Sequence, residues 1–196
     1  MGWRKTRATA ERELMRPFAA AVLTGGSSTR MGGDKALIEV NGIALARRVA
    51  EVALAAGADR VVCVGGDEPA LRSLGLATVS DGYPGEGPLG ALLTAFATLD
   101  ASTIVALSCD LPDLDVATIT AVLTQLDDHA VALAMTDRWH PLVAAYDRAR
   151  CEGPFAAVFA SGGRALHTAI RLVDVVTVRI PEPSRVRNVN YPADLR

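Results

Sequence analysis

Short apolar runs that end abruptly in glycine, hydroxyl or carboxylate residues recur along this chain. Such a run, bounded by turn residues, is typical of a buried strand. The pattern predicts strands at segments 18–22, 60–64, 76–79, 103–107, 130–135, 142–146 and 173–180. Because open α/β sheets bind ligands at the carboxyl ends of their strands, the residues directly after these runs are the first candidates for chemistry.

Apolar residues between these runs repeat at the spacing of an amphipathic helix. This spacing predicts helices at segments 43–56, 69–74, 88–99, 116–126, 154–160 and 165–170. Asp115 precedes the fourth of them and is predicted to be its N-cap. Segment 36–42 alternates apolar and polar positions and ends in Asn-Gly, which predicts a short extended element closed by a turn.

The alternation of strands and helices predicts an α/β fold. The first strand, helix and second strand form a βαβ unit with a right-handed crossover, so the sheet is expected to begin parallel. Segment 142–146 follows the preceding strand too closely for a crossover, and we therefore expect it to be antiparallel. The chain has 196 residues, half of them hydrophobic and 5% aromatic, which fits one domain filled mainly by Ala, Val and Leu. Residues 1–16 are polar and basic, and we expect a flexible leader there before a domain over residues 17–196.

Charge, cysteine and hydropathy patterns exclude several classes of partner. A formal net charge of -2 provides no basic field for nucleic acid. The cysteines lie far apart without the C-x-x-C spacing of a zinc site, and they do not form a disulfide framework. No apolar run approaches the ~20 residues that span a bilayer. We therefore expect a cytoplasmic protein that binds neither nucleic acid nor a membrane.

The stretch from Leu23 to Lys35 carries the strongest chemical signal. It follows the first predicted strand and contains two glycine pairs, together with Arg30 and Lys35. Glycines let the backbone approach a ligand closely, and their N–H groups can converge on phosphate oxygens. The arginine and the lysine add positive charge that does not depend on backbone geometry. The stretch therefore predicts a loop that binds a polyphosphate.

Two familiar phosphate-binding motifs do not fit this loop. The P-loop requires a hydroxyl residue after its lysine, whereas Lys35 precedes Ala36. The dinucleotide fingerprint G-x-G-x-x-G requires separated glycines, whereas these come as adjacent pairs. An ordinary glycine-rich surface loop would explain the glycines. It would not explain Arg30 and Lys35 at fixed offsets among them.

Carboxylates follow two of the later predicted strands. Asp110 comes after the strand at 103–107, with Ser108 beside it. A lone carboxylate near phosphates suits Mg²⁺, which takes one or two carboxylates and completes its shell with water and phosphate oxygens. Asp81 follows the strand at 76–79 and would either bind a nucleoside or cap its own loop. A turn-forming role is the alternative for Asp110.

Several motifs occur in a fixed order between Phe18 and Arg196. They are Leu23-Thr24-Gly25-Gly26, Arg30-Met31-Gly32-Gly33-Asp34-Lys35, Asp81, Gly87-Pro88-Leu89-Gly90, Cys109-Asp110-Leu111-Pro112, His140-Pro141-Leu142 and Asn188-Val189-Asn190. The ordered set resembles the molybdenum cofactor guanylyltransferase family. The resemblance implies a single-domain, doubly wound, three-layer α/β/α fold with a mostly parallel sheet and one antiparallel strand near the end.

The resemblance also implies roles for individual residues. It assigns Leu23, Thr24, Gly25 and Gly26 to the guanine nucleotide site, Lys35 to its phosphates, Asp81 to the nucleoside, and Asp110 to Mg²⁺ and the triphosphate. It assigns His140, Asn188 and Asn190 to a pterin acceptor, while a strand-end histidine and turn-forming asparagines remain open alternatives. One departure is Gly65-Gly66, which stands where relatives can place an asparagine against the nucleotide.

The implied reaction transfers GMP from GTP to the phosphate of molybdenum-molybdopterin and releases pyrophosphate. That phosphate is ionised at neutral pH and needs no general base, so catalysis would rest on positioning and on charge neutralisation by Mg²⁺, Arg30 and Lys35. Transient contact with proteins that deliver or receive the cofactor is expected. The alternatives are a cytidylyltransferase or other nucleotidyltransferase of the same fold, a nucleotide-binding module without transfer, and a dehydrogenase.

Overall fold

The computed structural model describes residues 16–25 and 34–189, and nine strands lie within these ranges. They are β1 (Phe18–Leu23), β2 (Glu39–Val40), β3 (Ile43–Ala44), β4 (Arg60–Val64), β5 (Thr78–Val79), β6 (Thr103–Ser108), β7 (Val131–Met135), β8 (Trp139–Asp147) and β9 (Val175–Arg179). Within the same ranges, seven of these strands form one sheet in the order β5-β4-β1-β6-β8-β7-β9. Strands β2 and β3 form a separate antiparallel pair.

The direction of the strands confirms the predicted sheet. Strands β5, β4, β1 and β6 run parallel in successive pairs. Strand β8 is antiparallel to both of its neighbours, and β9 is again parallel to β7. The sheet is therefore mostly parallel with one reversed strand, as the short connection before segment 142–146 predicts.

Helices cover both faces of the sheet. In the described part of the chain they are α1 (Leu45–Ala55), α2 (Glu68–Ser73), α3 (Gly87–Thr98), α4 (Val116–Leu126), α5 (Arg148–Ala160) and α6 (Leu166–Ile170). Short 3₁₀ turns span Lys35–Leu37 and Pro183–Val186. Of these helices, none has the length and apolar character that a bilayer crossing needs.

Alternation along β1 divides the core into two clusters. Ala20 and Val22 pack toward one face with α1 and α4, and Ala19 and Ala21 pack toward the other face with α3, α5 and α6. Because successive side chains of a strand point to opposite faces, a fully apolar β1 fills both layers of the core. The architecture is the three-layer α/β/α fold.

Several boundaries differ from the sequence prediction; β8, for example, begins at Trp139 and not at residue 142. The predicted helix at 43–56 begins at Leu45, because Ile43–Ala44 pairs with Glu39–Val40 across a turn in which Asn41 has φ +54° and Gly42 has φ +75°. Two positive φ values are the geometry of the tight turn that Asn-Gly favours in hairpins. The strand pairing thus takes the two residues that helical spacing had assigned to the helix.

Helix α5 begins at Arg148, well before the predicted start at Pro154. Asp147 is its N-cap, and the carboxylate of Asp147 accepts a hydrogen bond from Arg150 N at 3.0 Å. Phe155, on the same helix, is fully buried. The cap and this packing maintain the helix through the proline, although Pro154 lacks the N–H that would continue the hydrogen-bond ladder.

Candidate active site

A cavity of about 780 Å³ lies at the carboxyl ends of the parallel strands. Leu23 of β1 pairs with Val64 of β4 and with Ser108 of β6, so the loops that follow these three strands begin at the same level of the sheet. The cavity is lined by Leu23, Thr24, Gly25, Lys35, Gly65, Gly66, Glu68, Ser80, Asp81, Pro84, Gly85, Gly87, Pro88, Ala91, Ser108, Cys109, Asp110 and Leu142.

Thr24 ties the end of β1 to the loop after β4. Its hydroxyl donates to the carbonyl oxygens of Val64 at 3.1 Å and Gly65 at 2.8 Å. The backbone of Gly65 has φ +73°, and a Cβ at that position would lie 3.2 Å from the Cα of Gly25. The two backbones therefore meet in direct contact. This close approach and the positive φ explain why a glycine occupies position 65.

Asp34 anchors the backbone that presents Lys35. Its Oδ1 accepts from Ala36 N at 3.0 Å, and its Oδ2 accepts from Asp67 N at 3.0 Å. Because both oxygens are engaged, the 3₁₀ turn at Lys35–Leu37 is fixed against the start of α2. The Nζ of Lys35 lies 3.5 Å from Oδ2 of Asp110.

Asp110 lines the cavity and is held there by residues from two parts of the chain. Its side chain is 10% exposed. Its Oδ1 accepts from the hydroxyl of Ser108 at 2.5 Å and from Nδ2 of Asn188 at 2.6 Å. Its carbonyl oxygen accepts from Val189 N at 3.0 Å. The carboxylate is thus oriented before any ligand binds, which is the preorganisation that electrostatic catalysis requires.

Asp81 lies at the opposite end of the cavity, after β5. Its Oδ1 accepts from Tyr83 N at 2.9 Å and from the hydroxyl of Thr94 at 3.1 Å. The same Thr94 hydroxyl oxygen accepts from Gly82 N at 3.1 Å. Asp81 therefore both caps its own loop and lines the cavity, so the two alternatives drawn from the sequence are compatible.

Arg164, just before α6, supports the loop that closes this end. It forms an ion pair with Glu86, and its guanidinium carbon lies 4.2 Å from the centre of the Phe159 ring. The ring of Tyr83 packs on the same Phe159 with 4.6 Å between centroids. A Cβ at Gly90 would lie 2.8 Å from the Cβ of Tyr83, so a glycine at that position lets α3 approach the loop.

A second cavity of about 200 Å³ adjoins the first. Its lining consists of Ser108, Leu111, Arg138, Trp139, His140, Pro141, Leu142, Val143 and Asn188. Ser108 and Leu142 line both cavities. The two cavities therefore meet at Ser108 of β6 and Leu142 of β8, which are neighbouring strands.

His140 lies on β8 and is 9% exposed. Its Nε2 lies 2.8 Å from the hydroxyl of Thr136, which itself donates to Asp137 at 2.8 Å. Since that hydroxyl proton is already used, Nε2–H is the donor and Nδ1 is the acceptor of the ring. Burial, reinforced by Arg138, lowers the pKa of His140 below its ordinary value of 6.5. The ring is therefore neutral at pH 7.

The cysteines of the described ranges are buried and free. Cys109 borders the cavity, and burial, followed by the carboxylate of Asp110, raises the pKa of its thiol far above the ordinary value. Burial raises the pKa of Cys63 and of Cys151 to about 12. A protonated, buried thiol is a poor nucleophile, so Cys109 is a packing residue.

Comparisons with known proteins identify the family. Residues 20–175 match the family described as "MobA-like NTP transferase domain". The chain belongs to this family. A protein of Synechococcus elongatus named "Probable molybdenum cofactor guanylyltransferase" is 34% identical over 90% of this chain and 95% of its own length. The "Molybdenum cofactor guanylyltransferase" of Xanthomonas euvesicatoria is 32% identical over 91% of this chain and 93% of its own length.

A solved structure shows the same fold. The chain is similar to molybdopterin-guanine dinucleotide biosynthesis protein A of Archaeoglobus fulgidus with a TM-score of 0.75 and 20% identity. The similarity covers 90% of this chain and 94% of that one. Membership of the MobA-like NTP transferase family makes the protein a nucleotidyltransferase and confirms the resemblance that the ordered motifs indicate.

The fold brings most of the sequence-predicted site residues together. Those on the larger cavity are Leu23, Thr24, Gly25, Lys35, Asp81 and Asp110. His140 and Asn188 line the smaller cavity. Gly26, Arg30 and Asn190 lie outside the described residues, as do residues 1–15 of the predicted leader. The chemical role assigned to each of these residues stays a prediction.

Sequence reasoning missed three polar residues of this MobA-like site. Glu68 and Ser80 line the larger cavity, and the buried Thr94 holds Asp81 from α3. A hydroxyl residue within the apolar run of α3 is a signal that could have drawn attention to Thr94. No pattern in the sequence indicates that Glu68 faces the cavity, since an acidic residue at the start of a helix is common for electrostatic reasons alone.

The donor set around Asp110 fits Mg²⁺ bound together with a nucleotide. In the described residues there is no cluster of three or more histidine, cysteine, aspartate or glutamate side chains. A metal held entirely by protein side chains is therefore not expected there. Mg²⁺ is usually held by one or two carboxylates, water and substrate phosphates, and an oriented carboxylate such as that of Asp110 would supply the protein share of that shell.

Proposed function

We propose that this protein is a molybdenum cofactor guanylyltransferase, which transfers GMP from GTP to the phosphate of molybdenum-molybdopterin and releases pyrophosphate. The observation that carries the proposal is the pair of adjoining cavities that share Ser108 and Leu142. One space has the cation and carboxylate that a nucleoside triphosphate requires. The neighbouring space would receive an acceptor within reach of the α-phosphate. The names of the relatives with 32–34% identity support the same assignment.

GTP occupies the larger cavity in this proposal. Its phosphates lie beside Lys35, whose positive charge favours the negative charge of the phosphates. Its nucleoside lies toward Asp81. Asp110 would hold the Mg²⁺ that accompanies the triphosphate. When bound there, Mg²⁺ would supply charge neutralisation on the phosphates, which favours departure of pyrophosphate.

The acceptor occupies the smaller cavity, beside His140 and Asn188. The neutral ring of His140 offers Nδ1 as an acceptor for a ring N–H of a pterin. The amide oxygen of Asn188 offers a second acceptor, since its Nδ2 donates to Asp110. Trp139 contributes apolar lining to the same cavity, which suits a flat heterocycle.

The reaction needs positioning and charge neutralisation more than proton transfer. The acceptor phosphate is already ionised at pH 7, so no general base is required. Lys35 stabilises the negative charge that moves onto the leaving pyrophosphate. Arg30 has the same proposed role. Removal of one such cation from a water-poor site costs roughly 3 kcal/mol, which is on the order of 10² in rate.

Isothermal titration tests the nucleotide assignment. The purified protein is titrated with GTP, CTP and ATP, each with and without Mg²⁺, in parallel with an Asp110→Ala variant. We expect the wild type to bind GTP more tightly than CTP or ATP, and Mg²⁺ to increase its affinity for GTP. In the Asp110→Ala variant, Mg²⁺ should not increase the affinity for GTP. A preference for CTP would make the protein a cytidylyltransferase. An absence of nucleotide binding would contradict the proposed site.

A further inference from the structure

The two ends of the larger cavity differ in chemistry. Asp110 follows β6, and the Nζ of Lys35 lies 3.5 Å from its carboxylate, so a triphosphate with its metal fits at this end. Glu68, Ser80 and Asp81 lie at the β5 end. Neighbouring strands are about 4.8 Å apart, so three strand spacings separate the ends of β5 and β6 by roughly 14 Å. A nucleotide with its phosphates at the β6 end therefore extends its base toward Glu68.

Neighbouring residues fix the carboxylate of Glu68 in this position. Ser80 donates its hydroxyl to Oε1 at 2.6 Å, and Arg72 donates to Oε2 across one helical turn. The side chain of Glu68 is 22% exposed, and it lines the cavity. An ionised carboxylate has about four lone-pair positions, so each oxygen retains one for a ligand. Asp81 is less suited to a contact through both oxygens, because its Oδ1 already accepts from Tyr83 and Thr94.

Two adjacent acceptors complement guanine better than the other common bases. Guanine presents N1–H and its 2-amino group side by side as donors. Adenine and cytosine each present an amino donor next to a ring nitrogen that accepts, and this acceptor would face a carboxylate oxygen. Lone pairs opposed in this way repel, so a carboxylate selects against both bases as well as for guanine.

We propose that Glu68 is the residue that selects guanine, by accepting hydrogen bonds from N1–H and the 2-amino group of the base. Ser80 and Arg72 are positioning residues that hold its carboxylate. This inference rests on the proposed guanylyltransferase function and adds to it the determinant of base choice.

The test compares nucleotide affinities of the wild type with those of Glu68→Gln. GTP, CTP and inosine triphosphate, which lacks the 2-amino group, are titrated calorimetrically in the presence of Mg²⁺. The matched control is Glu152→Gln, because Glu152 accepts from Arg148 across the same helical spacing and lines neither cavity. Thermal unfolding is measured for each variant to establish that it is folded.

We expect Glu68→Gln to lose ~10-fold or more of its GTP affinity, as for other bidentate contacts to a base edge. Its preference for GTP over CTP should fall, and its preference for GTP over inosine triphosphate should nearly vanish. Glu152→Gln should match the wild type. An unchanged GTP preference in folded Glu68→Gln, or an equal loss for every nucleotide, would overturn the inference and leave the proposed function standing. A wild type that does not prefer GTP would overturn both.

Discussion

The side-chain nitrogen of Asn188 donates to Oδ1 of Asp110 across 2.6 Å, although the two residues are 78 positions apart in the sequence. Asp110 lines the larger cavity, and Asn188 lines the smaller one. The adjacent Val189 N also donates to the carbonyl oxygen of Asp110 at 3.0 Å. The segment after the last 3₁₀ turn therefore fixes the candidate metal-binding carboxylate and contributes to the acceptor space at the same time.

Replacement of Asp110 by asparagine should strongly lower activity without unfolding the protein. The amide keeps the shape of the carboxylate and can still accept from Ser108. It loses the negative charge beside Lys35 and the oxygen that would bind Mg²⁺. We expect turnover to fall on the order of 10² or more, measured as pyrophosphate release, with a near-native circular dichroism spectrum.

Asp113→Asn is the control for that substitution. Asp113 lies in the same turn, is exposed, and pairs with Arg187 at 3.7 Å on the surface. Its substitution should leave turnover within about twofold, because exposed ion pairs contribute about 1 kcal/mol or less. Equal activity losses in the two variants would contradict the role of Asp110.

Replacement of Lys35 by alanine should lower turnover on the order of 10², because one cation beside the departing phosphates is lost. Lys35 lies at the edge of the sheet, so the fold should persist. Arg47→Ala is a suitable comparison, since Arg47 is exposed on α1 and pairs with Glu51 at 2.8 Å. Steady-state kinetics at saturating GTP measure the effect. Full activity of folded Lys35→Ala would rule out its proposed role.

Gly65→Ala should weaken nucleotide binding more than Gly75→Ala does. Both glycines have positive φ, at +73° and +79°, so the backbone strain of the two substitutions is similar. A Cβ at Gly65 would lie 3.2 Å from the Cα of Gly25, whereas a Cβ at Gly75 has nothing within 4 Å. We expect Gly65→Ala to lose both stability and affinity, and Gly75→Ala only about 1 kcal/mol of stability.

If Gly65→Ala retained wild-type GTP affinity, the contact between the loops after β1 and β4 would not shape the nucleotide site. Calorimetric titration with GTP, combined with urea denaturation of both variants, separates the two effects.

The stability of the protein should depend on His140 at mildly acidic pH. Its pKa is lowered in the folded state, so below about pH 6.5 the unfolded chain binds more protons than the folded one. The free energy of unfolding therefore rises with pH up to about pH 6.5. Above that pH the neutral ring of His140 makes its full contribution to stability. Urea denaturation from pH 5 to 7 should show a smaller pH dependence in His140→Gln than in the wild type. His129→Gln, at an exposed histidine, is the comparison, and a pH dependence unchanged in His140→Gln would exclude this role.

The sequence predicts the layers of the fold because they follow from local patterns. Apolar runs and helical spacing locate most strands and helices, and the short connection before β8 predicts its reversed direction. The start of α5 is missed because it depends on the Asp147 cap and on the packing of Phe155, which together outweigh the breaking effect of Pro154. Tertiary contacts override local propensity at such positions.

The candidate site is predictable where a residue directly follows a strand, as Asp81 and Asp110 do. Parallel strands bring such residues to one edge whatever their separation in sequence. Glu68 and Thr94 reach the site from helices instead, and which face of each helix meets the cavity is decided by packing. The hydrogen bond between Asn188 and Asp110 likewise depends on the path of the chain after β9, which no local pattern specifies.

The most direct test of the guanylyltransferase assignment is a competition assay. The protein is incubated with molybdenum-molybdopterin, Mg²⁺ and equal concentrations of GTP and CTP, and the dinucleotide products are identified by mass spectrometry. We predict that the guanine dinucleotide predominates and that pyrophosphate forms only when the acceptor is present. Predominance of the cytosine product, or nucleotide binding without acceptor-dependent pyrophosphate release, would contradict the assignment.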